Sequence, residues 1–222
     1  QHNVKPITET GSASAEDPDT SAMPDEEPFT FVSGGQTQVF YSLADVEKLE
    51  DPRQLGGSAQ FVTEILRLHR GLGSARGTDD SDDETALYQH FLAAAVEAIG
   101  AERGVIVLRD EARDKLRLGA IVPADKDIAV NRVVLRCVLR EQQAVLCNDP
   151  AHDSRFQETD TVQRERIGSL IACPIMRGDT VAGLVYADVR ERANAFRREH
   201  LVILHSVSRM LVVLLQRIAV KR

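Results

Sequence analysis

Two apolar runs, Leu170–Met176 and Val181–Val189, are separated only by Arg177-Gly178-Asp179-Thr180. Runs of this length around a short polar turn that carries a glycine form a β-hairpin. Strands this apolar are buried, so the rest of the chain must supply more sheet beside them and cover above and below.

The segments upstream provide both. Gly104–Arg109 reads as a strand, Asp110–Lys115 as a polar turn, and Leu116, Leu118, Ala120 and Val122 as an alternating partner strand. Ala144–Cys147 is a further short strand. The helical period appears at Phe61, Ile65, Leu68 and Leu72, a stretch ended by Gly71, Gly73 and Gly77. It returns at Leu87, Phe91, Ala95, Val96 and Ile99, behind the acidic opening Asp79–Glu84 and before Gly100. Residues 128–141 are helical again, a short helix is expected near Gln163, and a last helix runs from about Asn194 to the end. Clustered hairpin strands with helices at both ends predict an α+β fold, an antiparallel sheet flanked by helices.

Charge separates this body from what precedes it. Residues 1–57 hold eleven acidic and three basic side chains, a net charge of −8, whereas the remainder carries +1. Residues 1–28 are rich in Ser, Thr, Pro, Asp and Glu, and bury too little apolar surface to offset ordering entropy. The chain therefore divides into an acidic, largely disordered tail over 1–57, a linking helix over 58–80 and a folded domain over 81–222. Within the tail, Phe29, Phe31, Val39 and Tyr41 flank Gly34-Gly35, the pattern of a short hairpin or a docking segment. A near-neutral body without a basic stripe is a poor match for a nucleic-acid backbone. No apolar run reaches the roughly 18 residues of a membrane span. The opening residues lack a signal-like apolar stretch and an initiating Met, as an excised piece would. Three cysteines, an odd and sparse set, fit a reducing, cytoplasmic setting.

The element order, with Ala101-Glu102-Arg103-Gly104, Ala144–Asp149, Asp153–Phe156, Ile167–Ile175 and Gly178–Tyr186, resembles the GAF domain, a small-molecule-sensing module of signalling proteins. The resemblance spans about 82–220. It implies a ligand between the sheet and the polar segment 148–169, with Asp149, Arg155, Phe156, Asp160 and Ser169 as candidate ligand-binding residues. Arg155 would pair an anionic group and Phe156 would stack on a ring. Cyclic-nucleotide-binding members carry an Asn, Lys, Phe, Asp, Glu signature. Phe156 and Asp160 keep two of its positions, Thr161 replaces the Glu, and no Asn-Lys pair matches. The resemblance also implies neighbouring domains, such as a forkhead-associated domain upstream and a cyclase, kinase or transcriptional activator downstream.

The cysteines raise an enzymatic alternative, because one GAF branch reduces free methionine sulfoxide with cysteine thiols. Cys137 and Cys147 are ten residues apart, much as in that branch, but its Gly-His-Ile-Ala-Cys-Asp loop is missing here. Cys173 lies on an apolar strand, where a thiol behaves as a small, inert hydrophobe. Cys147, Asp149, His152 and Asp153 are close in sequence without a recognised metal-ligand spacing, and Asn148-Asp149-Pro150 reads better as a turn. His205 reads as a packed or solvated helix residue rather than a heme ligand. No phosphate loop or catalytic motif is present. The expected role is non-catalytic, with the cofactor unknown.

Leu204, Val207, Leu211, Leu214 and Ile218 step by three and four, the spacing of a coiled-coil seam. Homodimerisation through this seam is expected, with Phe61, Ile65, Leu68 and Leu72 as a second candidate face. The plain alternative is packing on the chain's own sheet, and a degenerate domain that only dimerises is a third reading of function.

Overall fold

The structure, a computed structural model, describes residues 40–48, 80–110, 115–156 and 160–221. In chain order the elements are β1 (Phe40–Tyr41), α1 (Leu43–Lys48), α2 (Asp80–Ile99), β2 (Arg103–Asp110), β3 (Lys115–Val122), α3 (Arg132–Leu139), β4 (Ala144–Cys147), α4 (Thr161–Arg164), β5 (Ile167–Arg177), β6 (Thr180–Arg190) and α5 (Arg198–Lys221). A single 3₁₀ turn, Ser154–Phe156, lies between β4 and α4. The six strands form one antiparallel sheet in the order β1-β4-β5-β6-β2-β3. This is the α+β arrangement expected from the hairpin and the helical ends.

The β5–β6 hairpin is longer than its apolar runs, from Ile167 opposite Arg190 to Arg177 opposite Thr180. It sits inside the sheet, which explains why both strands are apolar throughout. One sheet face is covered by α1, α2 and α5. Phe91, Leu92, Ala95, Leu201, Leu204, Val207 and Leu211 meet Ile106, Ile171, Ile175 and Val185 there. The other face is covered by α3, the 3₁₀ turn and α4. Val133, Val134, Val138, Phe156 and Val162 meet Val105, Val145, Leu170, Ala172, Leu184 and Tyr186 on that side. Gly100, at φ +64°, ends α2 in the left-handed turn expected of it.

Three expectations change. Residues 128–141 were expected to be helical, but α3 begins only at Arg132. Asn131 caps it, its Oδ1 accepting the Val133 N–H at 2.8 Å, which starts the helix after the Ile128–Val130 stretch. Phe40–Lys48 falls within the stretch expected as tail, yet belongs to the folded body. Phe40 and Tyr41 pair with Val145 and Ala144, and Tyr41 and Val46 are buried in the α2–α5 core. The rest of 1–57 lies outside the described residues.

The third change concerns the expected dimer seam. Leu204, Val207 and Leu211 are fully buried in the chain's own core, at 0% exposure each. A stripe with three-and-four spacing serves a sheet face as well as a partner helix, and here the sheet and α2 claim it. The side chains of Leu214 and Ile218, and the whole Phe61, Ile65, Leu68, Leu72 face, lie outside what the structure describes. The outward side of α5 carries Arg209 and Val213, with Val213 at 43% exposure.

Candidate functional site

The polar segment expected to cover a ligand does lie over the α3 face of the sheet, and it starts where β4 ends. Cys147 closes β4, and Asn148-Asp149-Pro150 turns the chain away, with His152 N–H donating to the Asp149 carbonyl at 3.3 Å. Asp149 is exposed and holds the His152 ring through Nδ1 at 2.9 Å. Asp153 receives the Arg155 side chain on both carboxylate oxygens and the Arg155 N–H at 3.0 Å. Burial pushes the Asp153 carboxyl up, but these bonds prevail and hold it below the usual carboxylate range.

The five expected ligand residues therefore have separate surroundings. Arg155 is paired to Asp153, and its guanidinium lies 5.2 Å from the centroid of the Phe40 ring. Phe156 is fully buried among Val105, Val138 and Val162, its ring 6.3 Å from that of Phe40, so it anchors the turn in the core. Asp160 is exposed at the N-terminus of α4 and makes no side-chain cap. Ser169 is buried, donating to the Arg192 carbonyl at 2.9 Å and accepting the Ala195 N–H at 3.1 Å. Only Arg155 and Phe156 are neighbours in one structural unit; Ser169 belongs to another.

That second unit is a clasp. The Asn148 side chain donates through Nδ2 to the Phe196 carbonyl at 2.7 Å and accepts the Phe196 N–H on Oδ1 at 3.0 Å. Its own carbonyl accepts the Asn194 N–H at 2.9 Å and the Ser169 hydroxyl at 3.4 Å. The polar segment is thus tied at its first residue to the run that leads directly into α5. Asn194 has φ +57°, in the left-handed region. A Cβ on Gly168 would come within 2.5 Å of the Arg192 backbone.

A third group lies on the same sheet face, and motif reading missed it. Arg103 of β2 donates Nε to Asp188 Oδ1 at 2.8 Å and Nη2 to Oδ2 at 2.9 Å. Tyr186 donates its hydroxyl to the same carboxylate at 2.9 Å, and Arg103 Nη1 reaches Glu165 at 3.1 Å. Arg103 is 4% exposed and Asp188 fully buried. Burial works against the Asp188 charge and pushes its carboxyl up, and it lifts the Tyr186 phenol well above its usual range. A signal was present in the sequence: Asp188 stands in an otherwise apolar strand, and a buried carboxylate needs a partner. What the sequence does not disclose is that the partner lies 85 residues away.

All three cysteines are free and buried. Burial raises the Cys137 thiol to about 11 and Cys147 to about 12, and raises Cys173 further. Cys137 and Cys147 share the α3 face, while Cys173 points into the opposite core. Among the described residues no group of His, Cys, Asp and Glu could hold a metal ion. Nor is any helix among them long and apolar enough to cross a membrane.

Comparison with known proteins gives these features a class. A GAF domain family model matches residues 81–216, and the chain belongs to the GAF domain family. No curated protein matches it in sequence. Among solved structures it is similar to the GAF domain of a phosphoenolpyruvate-protein phosphotransferase from Coxiella burnetii, with TM-score 0.56 and 10% identity, over 74% of this chain and 97% of that one. The corresponding Acinetobacter domain gives TM-score 0.54 and 16% identity, over 74% and 93%. A free methionine-R-sulfoxide reductase from Neisseria meningitidis, solved in complex with its substrate, gives 0.52 and 18%, over 65% and 84%. At these identities the likeness is one of fold.

Proposed function

We propose that this chain is a non-catalytic sensory module that binds a small molecule between the sheet and the segment 148–169. It relays the binding to an output domain through α5. The observation that carries this reading is the clasp. Asn148 opens the covering segment and holds both main-chain groups of Phe196, two residues before α5 begins at Arg198. A ligand that repositions the segment would bias the start of α5 through those bonds, by as much as its affinity differs between the two arrangements. Neighbouring signalling domains, a forkhead-associated domain among them, would supply the input or the output.

The same reading includes a homodimer, with α5 contributing its outward Val213 side and its last turns instead of the buried Leu204, Val207 and Leu211. The degenerate form, a domain that only dimerises, differs in lacking the ligand.

The enzymatic alternative, methionine sulfoxide reduction by thiols, requires an accessible thiolate. The raised, buried thiols of Cys137, Cys147 and Cys173 oppose it.

Native mass spectrometry of the purified chain, with hydrogen exchange of α5, tests the proposal. The expected result is a dimer with a retained small molecule, whose removal changes exchange in the first turns of α5. A monomer without ligand, or methionine sulfoxide turnover that vanishes in Cys137→Ser, would refute it.

A further inference from the structure

We infer that the ligand carries a carboxylate, and that Glu165 occupies the place of that carboxylate on Arg103 when no ligand is bound. The inference rests on the sensory reading above and names the chemistry of its site.

Arg103 has five N–H donors, and three are engaged: two on Asp188 and one on Glu165. Asp188 takes the side edge of the guanidinium, through Nε and Nη2. Nη1 donates a single bond to Glu165 Oε2 at 3.1 Å, so no partner spans Nη1 and Nη2 together at the end of the guanidinium. A planar carboxylate placed there accepts two parallel bonds where Glu165 accepts one.

The exchange also conserves charge. One carboxylate leaves Arg103 and another arrives, so no additional charge is buried. Asp188, fully buried and bonded to both Arg103 and Tyr186, is fixed in place. Glu165 is the member able to leave: its side chain is 23% exposed, and its other oxygen, Oε1, already lies 3.6 Å from Nε of the exposed Arg164.

Backbone strain is concentrated beside it. Arg166, the next residue, has φ +52°, and Glu191, which it meets through a side-chain ion pair at 2.8 Å, has φ +57°. Non-glycine residues in this region store energy that a rearrangement can release, and they gather at switching sites. The Glu191 N–H also donates to the Arg166 carbonyl at 2.8 Å, joining the Glu165 segment to the run that enters the clasp.

The test uses propionate as probe, with chloride at equal ionic strength as reference, on the whole chain. The readout is the NMR resonance of the Arg103 side-chain Nε–H. Glu165→Ala should shift it saturably, with a Kd lower than in the wild type by about tenfold or more, and Glu165→Gln should fall between. Adding Arg103→Lys, followed instead on the backbone amide resonances around residues 103 and 165, should abolish saturation. If that double variant fails to fold, the Glu165 series decides alone, because the residue is partly exposed. Equal affinity in wild type and Glu165→Ala, or shifts spread over the surface, would overturn the inference. Hydrogen exchange in α5 separates the two readings. Propionate binding at Arg103 without any change in α5 upholds the carboxylate site and sinks the relay. An α5 that loosens in Asn148→Ala, with no variant binding propionate, sinks the carboxylate site alone.

Discussion

Replacing Asn148 with Ala removes two hydrogen bonds, at 2.7 and 3.0 Å, both made to the main chain of Phe196. Each is worth about 0.5–1.5 kcal/mol net, so the expected loss is about 1–3 kcal/mol. The Phe196 ring is buried at 2% exposure, which places the abandoned N–H and carbonyl near the core and favours the upper part of that range. The loss is bounded from above as well. The Asn148 carbonyl still accepts the Asn194 N–H at 2.9 Å, so the run before α5 keeps one tie. Urea unfolding measures the stability, and amide exchange resolved by mass spectrometry locates the effect. Exchange should rise in the first turns of α5, around Arg198–Val202, more than in β5 and β6. Ser169→Ala removes the bonds to Arg192 and Ala195 on the same run. Because the two side chains hold one segment, the double variant should lose less than the sum of the singles. Strict additivity, a change below about 0.5 kcal/mol, or uniform exchange across the fold would refute the clasp.

Three further outcomes are expected. Gly168→Ala drives a Cβ to 2.5 Å from the Arg192 backbone, which cannot step aside as a side chain tip does, and should cost about 1–3 kcal/mol or more in urea unfolding. Leu211→Ala should cost about 2–5 kcal/mol in the same assay, because the side chain is fully buried in the chain's own core. The thiols should react with iodoacetamide only on unfolding. Their folded pKa values lie above the ordinary 9.0, so thiol titration leaves stability unchanged below that pH and lowers it above, as the unfolded chain ionises first. A denaturant midpoint that falls between pH 8 and pH 10, and falls less in Cys137→Ala/Cys147→Ala, checks the sign.

The parts of the fold legible in the sequence were those decided by neighbouring residues. The β5–β6 hairpin follows from two apolar runs and the turn between them, and α2 from its stripe and Gly100. The α5 stripe was read correctly as apolar, but periodicity reports which residues share a face, not what covers it. Leu204, Val207 and Leu211 thus looked like a seam and are core. The site was less legible for the same reason. Phe156 and Arg155 are conspicuous in a polar segment, yet their roles depend on Phe40, more than a hundred residues earlier. Asn148 looked like turn chemistry, since nothing local indicates that its amide meets Phe196.

The pairing of Phe40–Tyr41 with β4 bears on where this domain can be cut. The family match begins at residue 81, but a chain trimmed there loses β1 and α1. It would leave the outer edge of β4 at Ala144–Val145 open to other strands. It would also empty the places of Tyr41 and Val46 in the α2–α5 core, and strip Phe40 from Arg155 and Phe156. The smallest autonomous piece thus includes a splint drawn from well before the recognisable domain, and a preparation made to the family's borders would be a wounded protein prone to self-association.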